Sequence, residues 1–120
     1  MIGFTPSQRY FLHGPATDMR MGFDSLCGLV SSQMGRDILS GDVFIFVNRG
    51  RNRVKLMVWD RSGFVIWYKR LEAGTFELPQ LAGGSHGLEL KWERLVMILE
   101  GIQLSSVRQR KRYARPITNN

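Results

Sequence analysis

Seven basic side chains, two tryptophans, a tyrosine and a single acid, Asp60, lie between Asn48 and Arg70. The tryptophans and the tyrosine are Trp59, Trp67 and Tyr68, and the basic residues are Arg49, Arg51, Arg53, Lys55, Arg61, Lys69 and Arg70. Cations neutralise phosphate groups and aromatic rings stack on bases, so the combination is typical of nucleic-acid-binding surfaces. The segment therefore predicts a polyanionic ligand.

Catalytic chemistry has less support in the sequence. His13 and His86 are the two histidines, and beside basic residues they could cleave RNA by general acid and base catalysis, although no nucleophile spacing surrounds either. The Asp residues fall mostly at predicted turns and helix starts, where they cap backbone groups rather than gather around a metal. The sequence thus favours a non-enzymatic protein without metal or cofactor, and a small ribonuclease is the weaker alternative.

Two predicted strands position the basic and aromatic residues, VKLMVW at 54–59 and FVIWYK at 64–69. The residues between them have turn chemistry, because Asp60 can bond the turn backbone and Gly63 can take a positive φ. We expect a hairpin with a three-residue loop. The expected cross-strand pairs are Asp60 with Phe64, Trp59 with Val65, Met57 with Trp67 and Lys55 with Lys69.

Alternation of side chains along the strands divides this hairpin into two faces. The face expected to contact the ligand carries Arg53, Lys55, Met57, Trp59, Val65, Trp67 and Lys69. The face expected to join the core carries Val54, Leu56, Val58, Phe64, Ile66 and Tyr68. Two alternatives stay open: a helix could cover the two indoles, and a register slip of one residue would exchange the faces.

The remaining chain predicts a small α+β domain. Strands are expected at 9–13, 43–47 and 75–79, and the middle one, apolar without alternation, should be central in the sheet. Helical apolar periodicity begins after Gly22, ends at Gly35, and returns from Trp92 to Ile102. Short hairpin connections favour antiparallel order. We therefore expect an antiparallel meander of three or four strands with two packed helices and a basic C-terminal tail.

Charge is concentrated in two places along the 120 residues. The formal net charge is +7, and it comes from the hairpin segment and from residues 108–120, which carry Arg108, Arg110, Lys111, Arg112 and Arg115. We expect one domain over residues 1–106 and a flexible basic tail over 107–120. Cys27 is the one cysteine, and no signal peptide or membrane helix is indicated, so the cytoplasm is the expected compartment.

Several short motifs are more specific than composition. They are Thr17-Asp18-Met19-Arg20 before the first helix, Asn48-Arg49, Lys55 with Trp59-Asp60, Gly63-Phe64, Trp67-Tyr68-Lys69-Arg70-Leu71-Glu72, and Leu99-Glu100-Gly101-Ile102. In this order, over about residues 10–102, they resemble the small accessory protein encoded by the second reading frame of bacterial insertion-sequence-66-type transposable elements, often called TnpB. An unrelated and much larger RNA-guided nuclease shares that name.

The resemblance implies a role in transposition beside a separate transposase, and it implies no established catalytic residues. Our leading hypothesis is a DNA-binding accessory protein that contacts transposon ends. Its contacts would be Arg49, Arg51, Arg53, Lys55, Trp59, Trp67, Lys69 and Arg70 in the hairpin, and Arg108, Arg110, Lys111, Arg112 and Arg115 in the tail. The alternative is an interaction module that binds the transposase, or another element-encoded protein, through its indoles without touching DNA.

The Thr17–Arg20 motif has two interpretations. Arg20 could contact a phosphate while Asp18 orients it, or the two side chains could pair with each other and brace the loop. The acidic balance of residues 1–48 favours the bracing role.

Overall fold

The computed structural model describes residues 3–80, 87–103 and 108–109, which form seven strands and two α-helices. The strands are β1 (Tyr10–Leu12), β2 (Val43–Val47), β3 (Arg53–Asp60), β4 (Gly63–Arg70), β5 (Leu88–Leu90), β6 (Ile102–Gln103) and β7 (Arg108–Gln109). The helices are α1 (Phe23–Leu29), which continues as a π-helical turn over Val30–Met34, and α2 (Trp92–Glu100).

Five strands form one mixed sheet in the order β4-β3-β2-β1-β5. The predicted α+β class is confirmed, but the purely antiparallel meander is wrong, because β1 and β2 pair in parallel with Tyr10 opposite Val43. The chain between these strands carries α1, so it is long enough for a parallel crossover. Strand β2 is central and all five of its residues are buried, as expected.

Each face of the sheet has its own apolar core. Leu26, Val30 and Met34 pack from α1 and its π-helical turn onto Phe44 and Met57. On the other face, α2 packs onto the alternate strand residues and covers the sheet with Leu95, Ile98 and Leu99. Both helices end at glycines with positive φ, Gly35 (62°) and Gly101 (81°), where a left-handed cap stops the helix. The molecule is therefore a helix–sheet–helix sandwich.

The register of the β3–β4 hairpin differs from the expected one by a single residue. Asp60 lies opposite Gly63 and Lys55 lies opposite Tyr68, so the loop has two residues instead of three. Arg61 takes the positive φ of the turn (55°), which the turn chemistry predicts for Gly63. Consequently Lys55 and Tyr68 share the face toward α1, whereas Leu56, Trp67 and Lys69 share the face toward α2. The predicted division into a ligand face and a core face is wrong.

The segments outside the hairpin also hold differences. No strand forms at residues 75–79; instead the amide of Phe76 donates to the carbonyl of Arg51, and the Phe76 ring is buried. Strand β5 was not predicted, and it pairs antiparallel with β1 at the sheet edge. Within the predicted tail, Arg108–Gln109 pairs with β6, and residues 110–120 lie outside the described part of the chain. None of the described helices is long and apolar enough to cross a membrane.

Candidate nucleic-acid interface

A cleft of about 590 Å³ opens where the segment before α1 meets the loop between β2 and β3. Its walls come from residues 16–20 and 48–50, together with Arg53 and Tyr68 from the ends of the hairpin strands. Two of the sequence motifs, Thr17–Arg20 and Asn48-Arg49, therefore lie side by side although about 30 residues of chain separate them. Three guanidinium groups and one carboxylate line this cleft.

The Asn48 side chain shapes the loop that carries the exposed arginines. Its Oδ1 accepts hydrogen bonds from the amides of Asn52 and Arg53, both at 3.0 Å, and its Nδ2 donates to Asn52 Oδ1 at 2.8 Å. These bonds close a tight loop, with Arg51 at a positive φ of 57°. Arg49 and Arg51 are exposed on it, and no hydrogen bond ties either guanidinium to another of the described residues. The loop thus presents two cations to solvent on a fixed backbone.

The opposite wall is braced by an ion pair. Asp18 accepts hydrogen bonds from Arg20, the shortest joining Arg20 Nη2 to Asp18 Oδ2 at 2.6 Å. These hydrogen bonds lower the pKa of the Asp18 carboxyl to about 2. The amide of Thr17 donates to the carbonyl of Val47 and joins this wall to β2. The pairing is the bracing role that the charge balance favoured, and it neutralises the carboxylate in the cleft.

Two lysines among the predicted contacts are engaged within the fold. Lys55 is 9% exposed, and its ammonium donates to the carbonyls of Met19 (2.7 Å) and Met21 (2.8 Å). Lys69 donates to the carbonyl of Leu99 at 2.9 Å, near the end of α2, where a cation also meets the negative end of the helix dipole. Both ammonium groups are therefore held by backbone carbonyls of the fold, and Lys55 is also buried.

The other predicted contacts are distributed over the molecule. Arg53 lines the cleft and its Nη1 lies 3.4 Å from the Tyr68 hydroxyl, whereas Arg70 pairs with Glu72 at 2.8 Å. Arg61, a basic residue of the hairpin that is not a predicted contact, lies at the turn, roughly 25 Å from Arg53 along the strand. Arg108 lies in β7, and Arg110, Lys111, Arg112 and Arg115 lie outside the described residues.

Trp59 and Trp67 point to opposite faces of the hairpin, but both line a second groove of about 520 Å³. Phe4, Val58, Val65 and Ile66 supply the rest of its apolar lining. The Trp59 ring meets Phe64 edge to face at 5.1 Å, and Trp67 packs against the core under α2. The indoles are therefore separate from the arginine-lined cleft, and each already has packing partners.

The structure describes one histidine of the ribonuclease alternative, His13, and gives it no catalytic setting. His13 is buried with its ring 5.8 Å from that of Phe46, and burial lowers its pKa. His86 lies outside the described residues. In the part of the chain that the structure describes, no three His, Cys, Asp or Glu side chains are grouped to hold a metal ion.

The predicted contacts include Arg49 and Arg53 of the cleft, but they omit Arg20, Tyr68 and Thr17, among others. The sequence favours a bracing role for Arg20, and the expected register places Tyr68 in the core. It predicts no role for the Thr17 side chain alone. Thr17 Oγ1 is buried without a hydrogen-bond partner among the described residues. The correct register alone would have moved Tyr68 beside Lys55, because cross-strand neighbours share a face.

Comparisons with known proteins agree over nearly the whole chain. A family model described as IS66 Orf2-like protein matches residues 8–109. The chain is 31% identical over 116 residues to the uncharacterized protein y4jC of Sinorhizobium fredii (strain NBRC 101917 / NGR234), an alignment that covers 97% of each chain. It is 34% identical over 86 residues to the uncharacterized protein y4hO of the same strain, covering 72% of this chain and 73% of the relative. No solved structure matches.

Proposed function

The chain belongs to the family of IS66 Orf2-like proteins, and from this premise we propose that it is a non-enzymatic DNA-binding protein that assists a separate transposase. Membership confirms the resemblance drawn from the motifs and implies an accessory protein associated with transposition. We propose three further points: the protein binds DNA, its target is the transposon ends, and its partner is the transposase.

One observation carries the DNA-binding proposal: the exposed Arg49 and Arg51 stand on a loop that Asn48 fixes, beside a cleft where Arg53 adds a third cation. Guanidinium groups on a preorganised backbone lose little conformational entropy when they bind phosphate oxygens. Such contacts orient a protein on DNA without reading the base sequence. The protein would therefore hold a DNA strand against this loop while the transposase supplies catalysis.

The salt dependence of DNA binding tests the proposal. With five or six phosphate contacts, the logarithm of the affinity for duplex DNA should fall against the logarithm of salt concentration with a slope of roughly −5. The double variant Arg49→Gln/Arg51→Gln should lose roughly 2 from the magnitude of this slope, because each lost phosphate contact releases about one counterion fewer. Fluorescence anisotropy with labelled DNA at several salt concentrations measures both values.

A matched control removes the same charge elsewhere. Lys91→Gln/Arg94→Gln neutralises two exposed cations at the start of α2, on the other side of the sheet, and should leave the slope unchanged. Equal losses in both double variants would mean that net charge alone acts, and an affinity independent of salt would refute DNA binding altogether. Tighter binding of RNA than of DNA would also contradict the proposal.

The apolar groove favours a second candidate, an interaction module that binds the transposase without contacting DNA. Trp59, Trp67, Phe4 and Val65 offer aromatic and aliphatic anchors of the kind that dominate protein interfaces. The DNA measurement separates the candidates, because a pure interaction module has no salt-dependent DNA affinity to lose.

A further inference from the structure

We propose that the cleft beside the Asn48 loop holds one unpaired nucleotide of a DNA strand, with its base stacked on Tyr68 and its phosphates on Arg49 and Arg53. This inference rests on the proposed function and assigns the form of DNA that the protein prefers. It concerns the cleft alone and requires nothing of the apolar groove.

The Tyr68 ring is positioned so that a base could stack on it. Its ring lines the cleft and 47% of the residue is exposed, although it lies within a regular strand pair, near the end of β4. The Lys55 ammonium lies 5.1 Å from the ring centroid and is itself fixed by two backbone carbonyls, while Arg53 approaches the hydroxyl. The ring is therefore supported at one face and at its edge, and a base could stack on it at little entropic cost.

The size and charge of the cleft fit a nucleotide better than an isolated phosphate. Its volume of about 590 Å³ lies within the usual range for pockets that take small organic ligands, and its lining mixes the aromatic ring with cations. The Asp18 carboxylate would repel a phosphate if it were free, but Arg20 pairs with it. Arg49 and Arg53 remain for the sugar-phosphate backbone.

Stacking on the Tyr68 ring requires an unpaired nucleotide. Bases in a duplex are stacked on their neighbours, so a protein ring reaches a base face only where a strand is open. Proteins that bind single strands combine such rings with a cationic track for the backbone. Tyr68 beside Arg49 and Arg53 reproduces that combination within one cleft.

Binding to three ligands tests the inference: a thymidine oligonucleotide, a strand of the same length with abasic sugars, and a duplex. Tyr68→Ala should weaken binding of the thymidine strand roughly tenfold or more, because one stacked base is lost, and should leave the abasic strand unaffected. Tyr68→Phe should retain the affinity of the wild type, since the ring remains. Val65→Ala is the matched control, because Val65 is equally exposed (46%) on the same strand but faces the other side of the sheet.

Equal affinity of the wild type for the thymidine and abasic strands would overturn the inference, as would equal losses on both strands in Tyr68→Ala. A loss in Tyr68→Phe as large as that in Tyr68→Ala would also overturn it, because the hydroxyl rather than stacking would be responsible. Circular dichroism melting confirms that each variant is folded. If one of these contradicting results occurs while duplex binding keeps its salt dependence, the inference about an unpaired nucleotide is wrong and the proposed function stands. If no DNA binds, the proposed function itself is wrong.

Discussion

The basic residues of the hairpin segment have different roles, and the difference lies in their hydrogen-bond partners. Lys55 and Lys69 bind backbone carbonyls, whereas the guanidinium groups of Arg49 and Arg51 point to solvent from a braced loop. The sequence shows that basic residues are concentrated in this segment. It could not show which cations are engaged, because the carbonyls that bind Lys55 come from residues more than 30 positions away.

The Asp18–Arg20 pair predicts a pH effect at the acidic end of the stability range. The pKa of the Asp18 carboxyl in the folded protein, about 2, lies below the ordinary value of 3.8, so the charged form favours the fold. This contribution is complete above about pH 4 and is lost as pH falls through about 2. Carboxyl NMR titration should show a midpoint of about 2 in the wild type and a higher one in Arg20→Gln, which loses the side-chain hydrogen bonds but keeps the one from the backbone amide of residue 20.

Stability should follow the same titration. The urea midpoint of the wild type should fall more steeply between pH 4 and pH 2 than that of Asp18→Asn, which has no carboxyl to protonate. Parallel pH curves for the two proteins would show that Asp18 does not brace the loop in solution.

At the level of secondary structure, the elements with strong apolar periodicity were predictable and their pairing was not. Both helices and β2 were placed correctly, because their patterns have few alternatives. The hairpin register failed since β3 is buried on both faces, and such a strand does not indicate which face belongs to which core. Strand β5 is too short to carry a pattern, and the parallel β1–β2 pair depends on a crossover that no local signal specifies.

Lys55 joins β3 to the segment before α1 and lies beside Tyr68 of β4, so its replacement should be costly. Lys55→Met keeps the apolar stem but leaves the carbonyls of Met19 and Met21 without their charged donor, so we expect the free energy of unfolding to fall by about 2–3 kcal/mol. Urea denaturation measures the change. Lys91→Met, an exposed lysine at the start of α2, should have almost no effect. Unchanged stability with weaker DNA binding would instead support the direct contact predicted from sequence.

In the whole molecule, the apolar cores under the two helices are separate from the exposed arginines of the β3–β4 hairpin and its preceding loop. Two helices cover both faces of the sheet, and the exposed Arg49, Arg51 and Arg61 lie in the β2–β3 loop and at the hairpin turn. The sequence indicated these two basic segments and the accessory family, because charge and motifs are local properties. It did not indicate the cleft, which forms only when the segment before α1 meets the β2–β3 loop.

The basic tail should add to DNA affinity independently of the cleft. A chain ending at Gln109 keeps all seven strands and the family-matched region, but it loses Arg110, Lys111, Arg112 and Arg115. Its urea midpoint should equal that of the full chain, and its salt slope on duplex DNA should shrink by roughly 3–4.

Combining this truncation with Arg49→Gln/Arg51→Gln distinguishes two separate basic regions from one. Distant, independent sites contribute additively, so the combined variant should lose the sum of the two slope changes. A combined loss no larger than that of the truncation alone would mean that the loop and the tail share the same phosphates. A lower urea midpoint in the truncated chain would show that the tail packs on the domain, and the expected boundary between residues 106 and 107 would then be wrong.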